Sequence, residues 1–202
     1  MTATSGQHPA RGPLSWLARG LLKLAGWRVD FAPLPEPRGI IIVYPHTSNW
    51  DFIVGILAKW ALGIPFRFVG KESLFRGLTG ATLGRLIRAW GGMPVNRHDP
   101  QGAVGQITAM MQAQPWCWLA MAPEGTRSHR ATIRSGFYFL ALQADLPVGL
   151  CFFDFKRKLV ACPRFVRMSG DIPQDLALLR EFYQDKPGFK PHNASTIAFR
   201  EH

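Results

Sequence analysis

Residues 39–51 read Gly-Ile-Ile-Ile-Val-Tyr-Pro-His-Thr-Ser-Asn-Trp-Asp. Ile40 to Val43 form an unbroken β-branched run, the pattern of a strand buried on both faces of a parallel sheet. Pro45 stops the run. Thr47, Ser48 and Asn49 are helix-capping types, and residues 50–62 then follow a helical pattern. Strand, tight turn and helix in that order are one unit of an α/β sheet.

The same alternation continues downstream. Residues 65–70 read as a strand and 75–90 as a helix carrying Arg76, Arg85 and Arg88. A strand over 93–96, a helix over 101–114 and an apolar strand over 116–123 follow. Residues 135–144 are helical in pattern, 146–155 and 159–168 strand-like, and 173–184 make a last helix. This pattern predicts an α/β single-domain sandwich with a largely parallel central sheet flanked by helices. Upstream, residues 14–27 place Leu14, Trp16, Leu17, Leu21, Leu22, Leu24 and Trp27 on a helix whose cations are Arg19 and Lys23, with Arg28 just beyond. Such an apolar helix with a basic margin suits a water–bilayer boundary, although core packing would use the same pattern. The division expected is an amphipathic helix and Pro-rich connector over 1–38, the main domain over 39–185, and a polar tail over 186–202.

Composition narrows the partners. Twenty-four basic against thirteen acidic residues give a net charge of +11, which favours a polyanionic surface or a phosphorylated ligand. Seven Trp and fourteen Phe accompany that charge, and Trp favours the membrane interface. Finger spacings, aromatic–basic RNA motifs and long basic runs are missing from the sequence, so no nucleic acid is expected. No apolar stretch is long enough to span a bilayer, and residues 1–13 lack the build of a signal peptide. The expected location is therefore the cytoplasmic face of a membrane, peripheral or monotopic. Cys117, Cys151 and Cys162 are odd in number and sit in apolar runs. They read as reduced core thiols, without metal-ligand spacing, so neither metal nor cofactor is expected.

Three groups of residues can carry chemistry. In the first, a neutral imidazole at His46 can take a proton from an alcohol that attacks a carbonyl, and a carboxylate on its other nitrogen fixes the tautomer. Five helical residues rotate a side chain by about 500°, leaving His46 and Asp51 roughly 140° apart. They meet only if His46 precedes the helix and Asp51 lies in its first turn, with Ser48 or Asn49 capping. In the second, Pro123-Glu124-Gly125-Thr126-Arg127-Ser128 follows an apolar strand, where α/β folds place ligands. Arg127 offers a planar fork for phosphate, and Glu124 could orient it or bind substrate hydroxyls. In the third, Lys71 and Arg97 also follow strands, so cations from successive strand ends could converge on one crevice.

These blocks together resemble the glycerolipid acyltransferases that include the 1-acylglycerol-3-phosphate (lysophosphatidate) acyltransferases. His46-x4-Asp51 resembles their first block, and Gly70 to Phe75 with Gly92 to Arg97 their second. Pro123 to Ser128 resembles the third, and Leu146-Pro147-Val148 part of the fourth. The chain departs at Pro45, where the family commonly has Asn, at Ala122, often Phe, and after Val148, where a second Pro is missing. The resemblance implies acyl transfer from acyl-CoA or acyl carrier protein to a lysophospholipid hydroxyl, first of all 1-acylglycerol-3-phosphate. It makes His46 the base and Asp51 its orienting partner. Arg97, Arg127 and Lys71 would hold the acceptor phosphate, with Glu124, Gly125 and Thr126 lining its site. Another lysolipid, or an amino-acid-based lipid, remains open as acceptor. A non-catalytic module for anionic lipid would explain the charge but not the intact blocks. A serine hydrolase is disfavoured because no Gly-x-Ser-x-Gly turn occurs.

Overall fold

The computed structural model describes residues 12–76, 80–95 and 100–200. Helix α1 (Pro13–Leu24) leads into β1 (Arg28–Phe31), β2 (Arg38–Val43), α2 (Asn49–Leu62) and β3 (Arg67–Lys71). A 3-10 turn (Glu72–Phe75) and a π-helical turn (Gly80–Gly84) precede α3 (Arg85–Ala89), β4 (Gly92–Val95), α4 (Pro100–Gln112) and β5 (Cys117–Met121). Then come α5 (Gly136–Gln143), β6 (Val148–Asp154), β7 (Leu159–Val166) and α6 (Ile172–Tyr183). The seven strands form one sheet in the order β1-β7-β6-β2-β5-β3-β4. Every neighbouring pair is parallel except the hairpin of β6 and β7.

Alternation along β2 sends Ile40 and Ile42 to one face and Ile41 and Val43 to the other. On the first face they join Leu119, Leu150, Phe137, Leu140 and Leu179 in the larger apolar cluster, which reaches α4, α5 and α6. On the second, Ile41 packs with Val54 and Ala58 of α2, Phe66, Trp118 and Phe153. Cys117, Cys151 and Cys162 are buried free thiols, and burial pushes all three above the usual thiol range.

Helix α1 lies on α2 through a stripe of Ser15, Ala18 and Leu22. Ser15 Oγ and Arg19 Nε both donate to Ala61 O, at 3.1 and 2.8 Å, satisfying a carbonyl near the end of α2. The opposite face of α1 stays in solvent, with Trp16 69% and Leu24 87% exposed.

Three elements differ from the sequence reading. The run over 75–90 is not one helix but a π turn and a short α-helix, entered through the 3-10 turn. Strand β1 falls where the end of the first helix and its connector were expected; four residues with half-exposed alternation are too short to show a period. The polar segment after residue 186 packs back on the domain. Ser195 and Ile197 are buried, and Phe199 packs against Phe137 and Tyr138.

Candidate active site

The site is assembled where β2 and β5 end. Beyond β2 the chain makes a cis peptide at Tyr44–Pro45 and then presents His46. Ser48, in extended conformation, is the N-cap of α2, its Oγ accepting from Trp50 N at 3.2 Å. Asp51 stands in the first turn and points back: its Oδ2 accepts from Thr47 N at 2.8 Å and Ser48 N at 2.9 Å. The same oxygen lies 3.1 Å from His46 Nδ1. His46 before the helix and Asp51 inside it therefore meet, as the spacing requires. Asp51 is only 2% exposed, and its Oδ1 is buried without a hydrogen-bond partner among the described residues. An imidazole held through Nδ1 leaves Nε2 for a reacting group.

The loop after β5 supports His46 from the other side. Glu124 Oε2 accepts from His46 N at 2.5 Å, and Oε1 accepts from Ser195 N at 2.8 Å. Burial raises the Glu124 pKa above the ordinary carboxylate value, against the stabilising donors from His46 and Ser195. His46 and Ser195, not Arg127, are therefore the partners of Glu124. Tyr44 OH donates to Ser195 O at 2.5 Å. Burial, with the charge of Glu124 second, pushes Tyr44 to about 12, so it stays a donor at neutral pH.

Gly125 takes φ +65°, a conformation that favours glycine, and the Arg134 side chain lies against its Cα, where a Cβ would meet Nε at 2.8 Å. Thr126 Oγ1 accepts from Ser128 N at 3.3 Å. Arg127 is exposed and has no ion-pair partner among the described residues. Lys71 is the last residue of β3. Arg97 lies outside the described residues.

A cavity of about 180 Å3 opens at His46 and Asp51 and runs beneath α2. Gly55, Phe68 and Phe153 line it, together with Phe31, Leu62 and Phe66. From Asp51 to Leu62 the helix rises about 16 Å. Two cations, Lys59 and Arg67, also line it. Lys59 is half-buried. Its Nζ donates to Trp90 O, and burial, then the charge of Arg67, lowers its pKa to about 8.

Compared with known proteins, residues 29–151 match the family described as Acyltransferase. The chain belongs to the acyltransferase family. The crystal structure of the 1-acyl-sn-glycerophosphate (LPA) acyltransferase PlsC from Thermotoga maritima is similar in fold, with a TM-score of 0.52 at 18% identity. That likeness covers 85% of this chain and 74% of the other. No curated protein matches by sequence. In this acyltransferase the matched stretch contains His46, Asp51, Lys71, Arg97 and the loop from Glu124 to Arg127, and it stops well before Ser195. Sequence reasoning missed Tyr44, Arg134 and Ser195. Ser195 reaches Glu124 through its backbone amide, which leaves no signature in residue type, and through its hydroxyl.

Proposed function

We propose that this acyltransferase moves a fatty acyl group from acyl-CoA or acyl carrier protein to the hydroxyl of a lysophospholipid, 1-acylglycerol-3-phosphate first among them, giving phosphatidate. One observation carries the reading: an imidazole held by a buried carboxylate lines an apolar cavity. His46 Nε2 takes the hydroxyl proton as the acceptor oxygen attacks the thioester carbonyl. The tetrahedral intermediate then expels the thiolate, which receives that proton from the imidazolium. Asp51 stabilises the imidazolium and keeps Nδ1 protonated.

The cavity suits the acyl chain. Its lining follows α2 from Asp51 to Leu62, a rise of about 16 Å, which matches roughly a dozen methylenes in zigzag, given C–C bonds of about 1.5 Å. For the acceptor phosphate, Arg127 is the exposed fork beside the loop, with Arg134 against Gly125, Lys71 and Arg97 as further cations, and Thr126 alongside. The exposed face of α1 would meet an anionic bilayer, and Trp50 and Ile53, exposed near the start of α2, extend that apolar surface toward His46. Among the described residues no helix is long and apolar enough to cross a membrane.

The test crosses long-chain acyl-CoA and acyl carrier protein against lysophosphatidate and a panel of other lysolipids, with His46→Ala as blank. Transfer to lysophosphatidate that disappears in the variant supports the reading in full. Transfer only to another acceptor replaces the substrate. No transfer by folded protein on anionic vesicles contradicts it.

A further inference from the structure

Residues 188–195 lie beyond the family match, yet they touch the catalytic loop at four points. Gly188, at φ +70°, is so close that a Cβ there would meet Thr47 Oγ1 at 3.1 Å and Pro45 Cβ at 3.4 Å. Lys190 N donates to Thr47 Oγ1 at 3.0 Å. Ser195 N donates to Glu124 Oε1, while Ser195 O accepts from Tyr44 OH. Ser195 Oγ, in turn, accepts from Arg130 N at 3.2 Å. Ser195 is 1% exposed and Glu124 2%, so water does not compete for these bonds.

The pattern of donors and acceptors determines what such a segment can do. His46 N–H and Ser195 N–H are both fixed donors, and a buried carboxylate between them satisfies both at once. The His46 backbone is thereby tied to a segment almost 150 positions away in sequence, independently of the Asp51 contact that aligns its ring. Tyr44 and Thr47 flank His46 in sequence, and each is tied to the same segment. A backbone pinned before, at and after the histidine has little freedom to shift its imidazole relative to the cavity. Displacement of a reacting group by about 1 Å is enough to cost on the order of a hundredfold in rate.

We propose that residues 188–195 are a positioning strap that holds the His46 backbone through Glu124, Tyr44 and Thr47, with Glu124 acting through that backbone and not as a ligand of the acceptor. This rests on His46 being the general base. It gives Glu124 a different task from the acceptor-lining one implied by resemblance, and the two tasks separate in kinetics. A residue that binds the acceptor equally in ground and transition states changes KM, whereas one that positions the base changes kcat.

Four variants test it: Glu124→Gln, which keeps one acceptor oxygen and places an amide donor against a backbone N–H; Ser195→Pro, which removes the donor to Oε1 together with the hydroxyl that bonds Glu124 and Arg130 N; Tyr44→Phe; and Thr47→Val. Ala194 has φ −64° and ψ 130°, a conformation compatible with a following proline. Acyl transfer gives kcat and acceptor KM, and NMR gives the exchange rate of the His46 amide. The expected result is a kcat loss of about a hundredfold in Glu124→Gln and Ser195→Pro, with smaller losses in Tyr44→Phe and Thr47→Val, and acceptor KM unchanged. Exchange of the His46 amide should rise in all four. A KM rise in Glu124→Gln at unchanged kcat would overturn the proposal, as would unaltered kcat and exchange in Tyr44→Phe and Thr47→Val, the two mildest changes. Amide exchange needs no substrate, so if wild-type protein transfers no acyl group, unchanged protection still refutes the strap and lost protection still supports the tie it makes.

Discussion

Ile40 and Ile42 on one face of β2, and Ile41 and Val43 on the other, are chemically alike, yet they meet different surroundings. The first pair enters a filled core beneath α4, α5 and α6, where Leu119, Leu150, Phe137 and Leu140 are all but inaccessible. The second pair looks into the cavity beneath α2. Interiors normally pack to crystal-like density, and voids cost stability. A cavity kept open at one face, lined by His46 and Asp51, fits the proposed division of stability to the filled face and ligand binding to the open one.

Removing the proposed base should show the largest effect. His46→Ala is expected to lower acyl transfer roughly 10³- to 10⁴-fold while the unfolding midpoint and vesicle binding stay near wild type. Unfolding of that variant would give His46 a structural task. The filled face should behave in the opposite way. Leu150→Ala is expected to cost about 2–5 kcal/mol of stability, read by denaturant unfolding, with acyl-chain preference unchanged.

The proposed membrane contact involves a third surface. Trp16→Ser or Leu24→Ser should each weaken binding to anionic vesicles about tenfold, in line with about 1.5–3 kcal/mol for a buried large apolar side chain. Binding should also fall with salt, because exposed charges are screened beyond about 8–10 Å. Unchanged binding would move the contact away from α1.

The smallest effect concerns Lys59 on the open face. Its pKa of about 8 in the fold lies below the unfolded value of about 10.4. Between these the unfolded chain binds more protons, so stability from this group is low while the amine is charged and rises as pH passes about 8. Lys59→Met should remove that part of the rise. The check is the change in thermal midpoint between about pH 7 and 9, wild type against variant; equal changes in both would refute it.

Much of this was legible beforehand because it rests on local rules. The run from Ile40 to Val43 marked the central strand, and the capping residues after Pro45 fixed how His46 and Asp51 could meet. The strand hidden in Arg28–Phe31 was too short to show a period. Glu124 was recognised as a site residue, but its partners were not: His46 N and Ser195 N are backbone groups, and every residue except proline has one. The cavity was equally out of reach, since it depends on how Gly55, Phe68 and Phe153 pack around one another and not on any one of them.

The most direct test of the division between the two faces is the acyl-chain profile of Gly55→Leu. Gly55 lies on α2 over the cavity, and a Cβ there would already stand 3.3 Å from the Phe153 ring, so a leucine must take up space that the acyl chain is proposed to use. Transfer should shift toward shorter chains, with long-chain transfer lost and short-chain transfer kept, at little change in the unfolding midpoint. An unchanged profile from folded Gly55→Leu protein would place the acyl chain elsewhere and contradict the account.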